Sequence, residues 1–207
     1  MARPEHQAEH PLHVTLRARV NSLRKQVVFE VVRGAISRTN RARGEHFRIC
    51  EFSVQSNHVH LLIEAEDRDA LLSGMRALCV RIARAVNRVL GRRGKLIDDR
   101  WHGRALETSR SVRRALVYVL ANFKKHGPSS LGDRPILDLR SSAPYFRGFF
   151  ELGGEAPCES QSERVSMVVK RLAADERPVA EPRTWLLSTG WRLHQFISCH
   201  EAPRRAV

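Results

Sequence analysis

Two histidines separated by one residue, His58 and His60, begin an apolar run whose pattern predicts a β-strand. Side chains alternate between the two faces of a strand, so both imidazoles are expected on one face, with Val59, Leu61 and Ile63 on the other. Their Cα atoms would lie roughly 6.5 to 7 Å apart, close enough for both rings to reach one divalent cation. By itself, a His-x-His pair more often marks two surface histidines on a half-solvated strand, because short motifs recur by chance.

A metal held by two histidines is undersaturated, which is typical of a catalytic or substrate-holding centre. Asn122 is one candidate for the third ligand, since an amide oxygen coordinates hard cations. It follows Tyr118 by four residues, one turn of a helix. Glu64 is the competing candidate; it shares the histidine face but lies farther along the strand, where a solvated carboxylate is the simpler interpretation.

The chain has two tyrosines, Tyr118 and Tyr145. A phenolate can attack a phosphodiester and hold the cut end covalently, so that rejoining needs no ATP. A metal would neutralise phosphate charge and stabilise the transition state. The phenol, with an ordinary pKa of about 10, would need the metal or basic surroundings to activate it. Tyr145 lies in a loop beside phenylalanines and is predicted to be a packing residue.

The predicted elements have to bring these residues together. The order is a strand at 13–20, a helix from Asn21-Ser22 to Gly44, strands at 47–54 and 58–64, a helix opened by Asp67, an interrupted strand between 96 and 106, and a helix from Thr108-Ser109 to Gly127-Pro128. This order predicts an α+β, ferredoxin-like fold: an antiparallel sheet with two helices on one face and an extra, tyrosine-bearing helix. The histidines would then face the free side of the sheet, where the extra helix could bring Tyr118.

The predicted organisation has four parts. Residues 1–11 are expected to form a flexible arm and residues 12–150 the catalytic domain. Residues 151–163 read as a linker, and residues 164–207 as a mainly helical C-terminal extension to which the sequence assigns no chemistry.

The composition indicates a polyanionic partner. The 207 residues include 36 Lys and Arg against 22 Asp and Glu, a formal net charge of +14. Nucleic acid is the first candidate partner and an anionic membrane surface the second.

Four scattered cysteines without C-x-x-C spacing predict reduced thiols (Cys50, Cys79, Cys158, Cys199). No run approaches ~18 apolar residues and the start lacks an apolar signal segment, so we expect a cytoplasmic, nucleoid-associated protein with no membrane partner.

Basic residues are the candidates for DNA contact. Residues 68–126 hold 15 Lys or Arg against four Asp or Glu, which favours phosphate contact over pairing along a helix, although such a stripe is usually a solvated face. Arginines near a tryptophan also suit a single strand, whose bases stack; a core role for that tryptophan is equally consistent. The predicted DNA-binding residues are Arg17, Arg19, Arg81, Arg84, Arg88, Arg100, Trp101 and Arg104.

The motif NHVHLL at 57–62, followed by YVLAN at 118–122, resembles the single-tyrosine HUH transposases, most closely the REP-associated tyrosine transposases. HVTLR at 13–17 is similar to that family's opening strand, and GKL at 94–96 through RWH at 100–102 to the segment before its tyrosine helix. The resemblance covers roughly residues 12–150. It implies Mg²⁺ or Mn²⁺ bound by His58 and His60, with Asn122 as the third ligand and Tyr118 as the nucleophile. It also implies cleavage and joining of single-stranded DNA with hairpin or palindromic repeats, through a 5′-phosphotyrosine intermediate, by a monomer or a homodimer.

The sequence departs from the family after the tyrosine motif, where FKKHG at 123–127 replaces the common Asn-Pro-Val-Arg-Ala continuation. Two other functions stay open. One is a basic module of ferredoxin-like fold that binds DNA or RNA without cutting it. The other is a metal nuclease that uses an activated water in place of Tyr118.

Overall fold

The computed structural model describes residues 6–98, 101–125, 137–150 and 177–203. Its elements are β1 (Leu12–Arg17), α1 (Gln26–Arg43), β2 (Phe47–Val54), β3 (His58–Ala65), α2 (Arg68–Val89), β4 (His102–Ala105) and α3 (Ser109–Ala121). Single 3-10 turns follow at Asn122–Lys125 and Ala143–Tyr145, then a short helix α4 (Trp185–Ser188) and a 3-10 turn at Gly190–His194. Arg100, the predicted linker and the first part of the predicted extension lie outside the described residues.

The four strands form one antiparallel sheet in the order β2-β3-β1-β4. With α1 between β1 and β2 and α2 between β3 and β4, this is the ferredoxin-like arrangement that the sequence predicts, and the α+β fold class is confirmed. β1 and β3 are the central strands, and Thr15 lies opposite His60 in their register. The histidine strand is therefore held on both sides.

Helices α1 and α2 cover one face of the sheet. Asp67 caps α2 as predicted, since its side chain accepts a hydrogen bond from the Ala70 N–H. Gly74 lets α2 approach the sheet closely, because a Cβ there would lie 2.2 Å from the Phe47 ring. This layer is the larger core, whose buried members include Val14, Leu16, Ile49, Phe52, Val59, Leu61, Ile63, Val32, Ile36, Met75, Leu78 and Ile82.

The start of α1 differs from the prediction. The helix begins at Gln26, and Lys25 provides no side-chain cap, so the predicted Asn21-Ser22 start is wrong. Leu23 is fully buried and its N–H donates to the Ser56 carbonyl. These contacts hold the chain against the β2–β3 turn and delay the first helical turn. Gly44 is the last-turn cap that the sequence predicts.

The second face of the sheet, to which the sequence suggested that the extra helix could bring Tyr118, is partly covered by that helix. Leu62 and Cys50 project from it and pack against Val112, Leu116 and Val119 of α3. A register irregularity in β2, between Ile49 and Glu51, accompanies this contact. The helix that bears Tyr118 therefore packs on an apolar patch formed by β2 and β3. None of the helices in the described part of the chain is long and apolar enough to cross a membrane.

Candidate active site

His58 and His60 lie on the same face of β3, as the alternation predicts. His60 is buried and His58 is half-buried. Their ring centroids are 4.7 Å apart and the ring planes meet at 82°. The two imidazoles therefore form one compact pair at the end of β3 that follows the β2–β3 turn.

Hydrogen bonds to Nδ1 orient both imidazoles. His58 Nδ1 lies 2.8 Å from Asn57 Oδ1, an acceptor, so Nδ1 carries the hydrogen of the neutral ring. His60 Nδ1 lies 3.1 Å from Thr15 Oγ1 and 3.3 Å from His13 Nε2. A neutral ring whose Nδ1 donates its hydrogen, as in His58, can present the Nε2 lone pair to a metal, an arrangement common in protein metal sites.

His13 is a member of this site that the sequence reasoning missed. Its ring centroid is 5.3 Å from that of His60 and 5.4 Å from that of Tyr118. Burial, assisted by the charge of Arg104, lowers the pKa of His13 to about 4, so the ring is neutral near pH 7. The available signal was the alternation of β1, which puts His13 on the histidine face, combined with the pairing of β1 and β3 in a ferredoxin-like sheet.

Tyr118 reaches the histidines from α3. Thr108 caps the helix through a reciprocal pair of hydrogen bonds with Ser111, as its position before the helix predicts. The Tyr118 ring meets the His60 ring edge to face, with centroids 5.0 Å apart and planes at 84°. Burial raises the pKa of Tyr118, so the phenol is protonated near pH 7. The structure thus brings the predicted nucleophile to the predicted histidine pair within one chain.

Asn122 follows α3 directly and is 1% exposed. Neither its Oδ1 nor its Nδ2 has a hydrogen-bond partner among the described residues. A buried polar group without a partner costs roughly 1–3 kcal/mol, so an amide in this state is suited to a ligand that the protein alone does not supply.

Glu64 does not have the environment that the sequence suggested. It is 1% exposed, so the expectation of a solvated carboxylate is wrong. Its oxygens accept hydrogen bonds from Arg48 Nε, from the N–H groups of Arg183 and Thr184, and from Thr184 Oγ1, at 2.7 to 3.1 Å. Two of these partners, Arg183 and Thr184, follow Glu64 by more than a hundred positions, which no local pattern could indicate.

Two of the predicted DNA-binding arginines lie beside the site. Arg17 is opposite His58 in the β1–β3 register, and Arg104 is opposite His13 in the β1–β4 register. Both are exposed, and neither forms an ion pair with any residue that the structure describes. Arg19 is also exposed but pairs with Asp98 at 2.9 Å.

The other predicted DNA contacts are placed away from the histidines. Arg81, Arg84 and Arg88 belong to α2, in the helical layer on the opposite side of the sheet. Trp101 is half-buried against the α1–α2 core, and Gly103 makes room for its ring, which would lie 2.4 Å from a Cβ there. This agrees with the core interpretation of Trp101. Tyr145 also packs against that core, as predicted, with its hydroxyl 3.4 Å from Arg33 Nη1.

In the described ranges, no three or more His, Cys, Asp or Glu side chains are grouped to hold a metal ion. The residues that could hold a cation here are His58 and His60, through ring nitrogens, and Asn122, through its buried amide oxygen. Two imidazoles and an amide leave positions for oxygen atoms of a substrate, which fits a hard divalent cation.

Solved structures similar to this chain include two whose descriptions name a transposase. The chain is similar to a REP-associated tyrosine transposase bound to a REP hairpin, with 21% identity and a TM-score of 0.49 over 61% of this chain and 74% of that one. It is also similar to a protein described as a candidate transposase from Deinococcus radiodurans R1, with 16% identity and a TM-score of 0.39 over 50% of this chain and 85% of that one. No protein-family model matches the sequence, and no curated protein matches it.

Proposed function

We propose that this chain is a transposase-type enzyme that cleaves and rejoins single-stranded DNA through a covalent bond to Tyr118. The observation that carries the proposal is the edge-to-face contact between the rings of Tyr118 and His60. His60 is itself paired with His58 on the same face of β3. A tyrosine that served packing alone would not need two imidazoles, those of His13 and His60, in contact with its ring.

The proposed metal ligands are His58, His60 and Asn122, and the proposed cation is Mg²⁺ or Mn²⁺. The buried amide of Asn122, with both polar atoms unpartnered in the described structure, supports it over Glu64, whose oxygens are already engaged. A divalent cation bound there would neutralise phosphate charge and act as a Lewis acid on the scissile group.

In the proposed reaction, Tyr118 Oη attacks the scissile phosphorus. The Oη–P bond forms as the bond from phosphorus to the 3′ oxygen breaks, leaving a 5′-phosphotyrosine and a 3′-hydroxyl. The phenol loses its proton and the departing oxygen gains one, so the step is balanced. Because the energy of the phosphodiester is kept in the new bond, a 3′-hydroxyl can attack it and rejoin the strand.

The proposed substrate is single-stranded DNA that carries hairpin or palindromic repeats. Arg17 and Arg104 are the proposed phosphate contacts next to the site, because both are exposed on the histidine face without an ion-pair partner among the described residues. Arg81, Arg84 and Arg88 would reach only a DNA molecule that extends around to the helical layer. Asn122 begins a 3-10 turn that ends at Lys125, and Phe123 occupies the next position, where the family commonly has a proline.

The proposal is tested by incubating the protein with Mg²⁺ or Mn²⁺ and a labelled single-stranded hairpin oligonucleotide. A covalent protein–DNA adduct should survive denaturing electrophoresis. Tyr118→Phe should abolish the adduct, whereas Tyr145→Phe, the matched control, should retain it. An adduct that persists in Tyr118→Phe would refute the assignment of the nucleophile.

A DNA- or RNA-binding module is the second candidate, favoured by the net charge of +14 and by Arg17 and Arg104, which have no ion-pair partner among the described residues. It predicts tight binding without metal and no adduct under any condition. Cleavage that survives Tyr118→Phe but not His58→Ala or His60→Ala would instead indicate a nuclease that activates water.

A further inference from the structure

Residues 177–203, which we call the C-terminal strap, contact α1, β2, β3 and α3 in turn. At its start, the Pro178 carbonyl accepts a hydrogen bond from Asn40 Nδ2, and the Ala180 N–H donates to the Ile49 carbonyl. The strap is therefore attached to α1 and to β2 before it reaches the site strand.

The strap next binds the strand that carries the histidines. Glu64 lies on the same face of β3 as His58 and His60. It accepts hydrogen bonds from the backbone N–H groups of Arg183 and Thr184 at 2.8 and 2.9 Å, and from Thr184 Oγ1 at 2.7 Å. Thr184 Oγ1 in turn accepts from the Leu187 N–H and caps α4. A buried carboxylate thus fixes the strap to the strand that bears His58 and His60.

The strap then packs against the tyrosine helix. Its apolar side chains share one core with α3, and Trp191, which is 2% exposed, is the largest of them. The Trp191 ring also lies 5.7 Å from that of Phe146, which joins residues 137–150 to the same cluster. The buried strap residues in this core are Leu187, Trp191, Ile197 and Cys199.

Polar contacts hold α3 at both ends. Arg113 donates two hydrogen bonds to Glu201, at 2.9 and 2.8 Å, and two more to the carbonyls of Gln195 and Phe196. Before it, Ser109 Oγ lies 2.9 Å from His194 Nε2. Beyond Tyr118, Lys124 Nζ donates to the carbonyls of Cys199 and Glu201.

We propose that the C-terminal strap positions Tyr118, with Arg113 and Glu201 as its principal contact. One segment joins the strand that bears His58 and His60 to the helix that bears Tyr118, so the spacing between the two halves of the site depends on it. This inference rests on the proposed function for its catalytic consequence. Displacement of a reacting group by about 1 Å can cost about a hundredfold in rate, so a small shift of α3 matters.

The test compares Arg113→Ala, Glu201→Ala and the double variant with Arg110→Ala, which removes an exposed arginine from the same helix. At saturating hairpin DNA, Arg113→Ala and Glu201→Ala should each slow adduct formation by about ten- to a hundredfold, while the Kd for DNA changes less than about twofold. The two losses should be non-additive, because the residues share one contact. Arg110→Ala should match the wild type.

Amide hydrogen exchange gives a second measurement that does not need catalysis. In Arg113→Ala, residues 109–121 should exchange faster, while β1 and β3 keep their protection. Unchanged exchange in α3, or equal loss of protection across the sheet, would overturn the inference. So would a wild-type rate of adduct formation in Arg113→Ala. If the wild type forms no adduct, the proposed function fails, and the exchange pattern still decides the role of the strap.

Discussion

Tyr118 meets His60 edge to face at a ring separation of 5.0 Å, although the whole of α2, all of β4 and most of α3 lie between them in the chain. The contact is made within one polypeptide. It exists because α3 folds back over the histidine face of the sheet and packs against the apolar side chains of Leu62 and Cys50.

The first prediction concerns Asn122. Asn122→Leu removes a buried amide whose polar atoms have no described partner, so the free energy of unfolding without metal should stay the same or rise by about 1 kcal/mol. The variant should lose most of the stabilisation that Mn²⁺ gives the wild type, since a ligand that binds only the folded state raises its stability. Thermal unfolding with and without Mn²⁺ measures both effects. Equal stabilisation of the two proteins by Mn²⁺ would remove Asn122 from the ligand set.

The second prediction concerns His13. His13→Ala removes a ring that contacts both His60 and Tyr118, so the orientation of His60 should loosen. Loss of such a supporting partner typically lowers metal affinity by about ten- to a hundredfold. The Mn²⁺ concentration that gives half-maximal adduct should rise accordingly. His102→Ala, an exposed histidine on the same sheet face, is the control and should leave that concentration unchanged.

The third prediction separates the two groups of arginines. Arg17→Ala with Arg104→Ala should make the slope of log K against log salt concentration shallower by about 1.4, which is about 0.7 for each phosphate contact on a single strand. Arg84→Ala with Arg88→Ala should change the slope much less, because α2 lies on the other side of the sheet. Arg38→Ala with Arg76→Ala provides a matched loss of two exposed charges from the helical layer. Fluorescence anisotropy with a hairpin oligonucleotide gives these slopes; equal changes for all three pairs would indicate diffuse attraction.

The fourth prediction concerns Glu64. Glu64→Ala leaves the buried Arg48 guanidinium without its carboxylate and releases the strap from β3, which should cost about 3 to 5 kcal/mol in the free energy of unfolding. Urea unfolding measures the loss. Glu107→Ala, at an exposed position before α3, should cost less than about 0.5 kcal/mol. A similarly small cost for Glu64→Ala would show that the strap is not anchored there.

The fifth prediction is a pH dependence of stability caused by Glu51. Burial raises the pKa of Glu51 to about 8 from an ordinary value of 4.5, against a weaker opposing effect of the hydrogen bond that Ser142 donates. Between these two values the folded state keeps a proton that the unfolded state releases. Stability should therefore fall as pH rises from about 4.5 to about 8, by up to about 1.4 kcal/mol per pH unit.

Glu51→Gln keeps a hydrogen-bond acceptor for Ser142 but cannot ionise, so it should remove this slope. Urea unfolding of both proteins at several pH values across the window is the measurement. Parallel pH profiles for the wild type and Glu51→Gln would contradict the assignment.

Local patterns were sufficient for the parts of this protein that depend on neighbours in the sequence. The alternation of His58 and His60 with apolar residues predicted that both imidazoles lie on one face. Asp67 and Thr108 could be predicted as helix N-caps because each is a capping residue type directly before a segment with helical periodicity. The order of these elements predicted the sheet, because βαββαβ connections with short links allow few topologies.

Tertiary structure alone decided the environment of the site. His13 became a neighbour of His60 through strand pairing. Asn122 became buried at the end of α3, with no hydrogen-bond partner among the residues that the structure describes. The Glu64 carboxylate accepts a hydrogen bond from Thr184, a residue far along the chain, where solvent was expected. Burial and hydrogen bonding between distant segments depend on how whole layers pack, and periodicity within one segment carries no information about that packing. The sequence therefore determined which residues share a face, and the packing of α3 and the strap determined what each of them meets there.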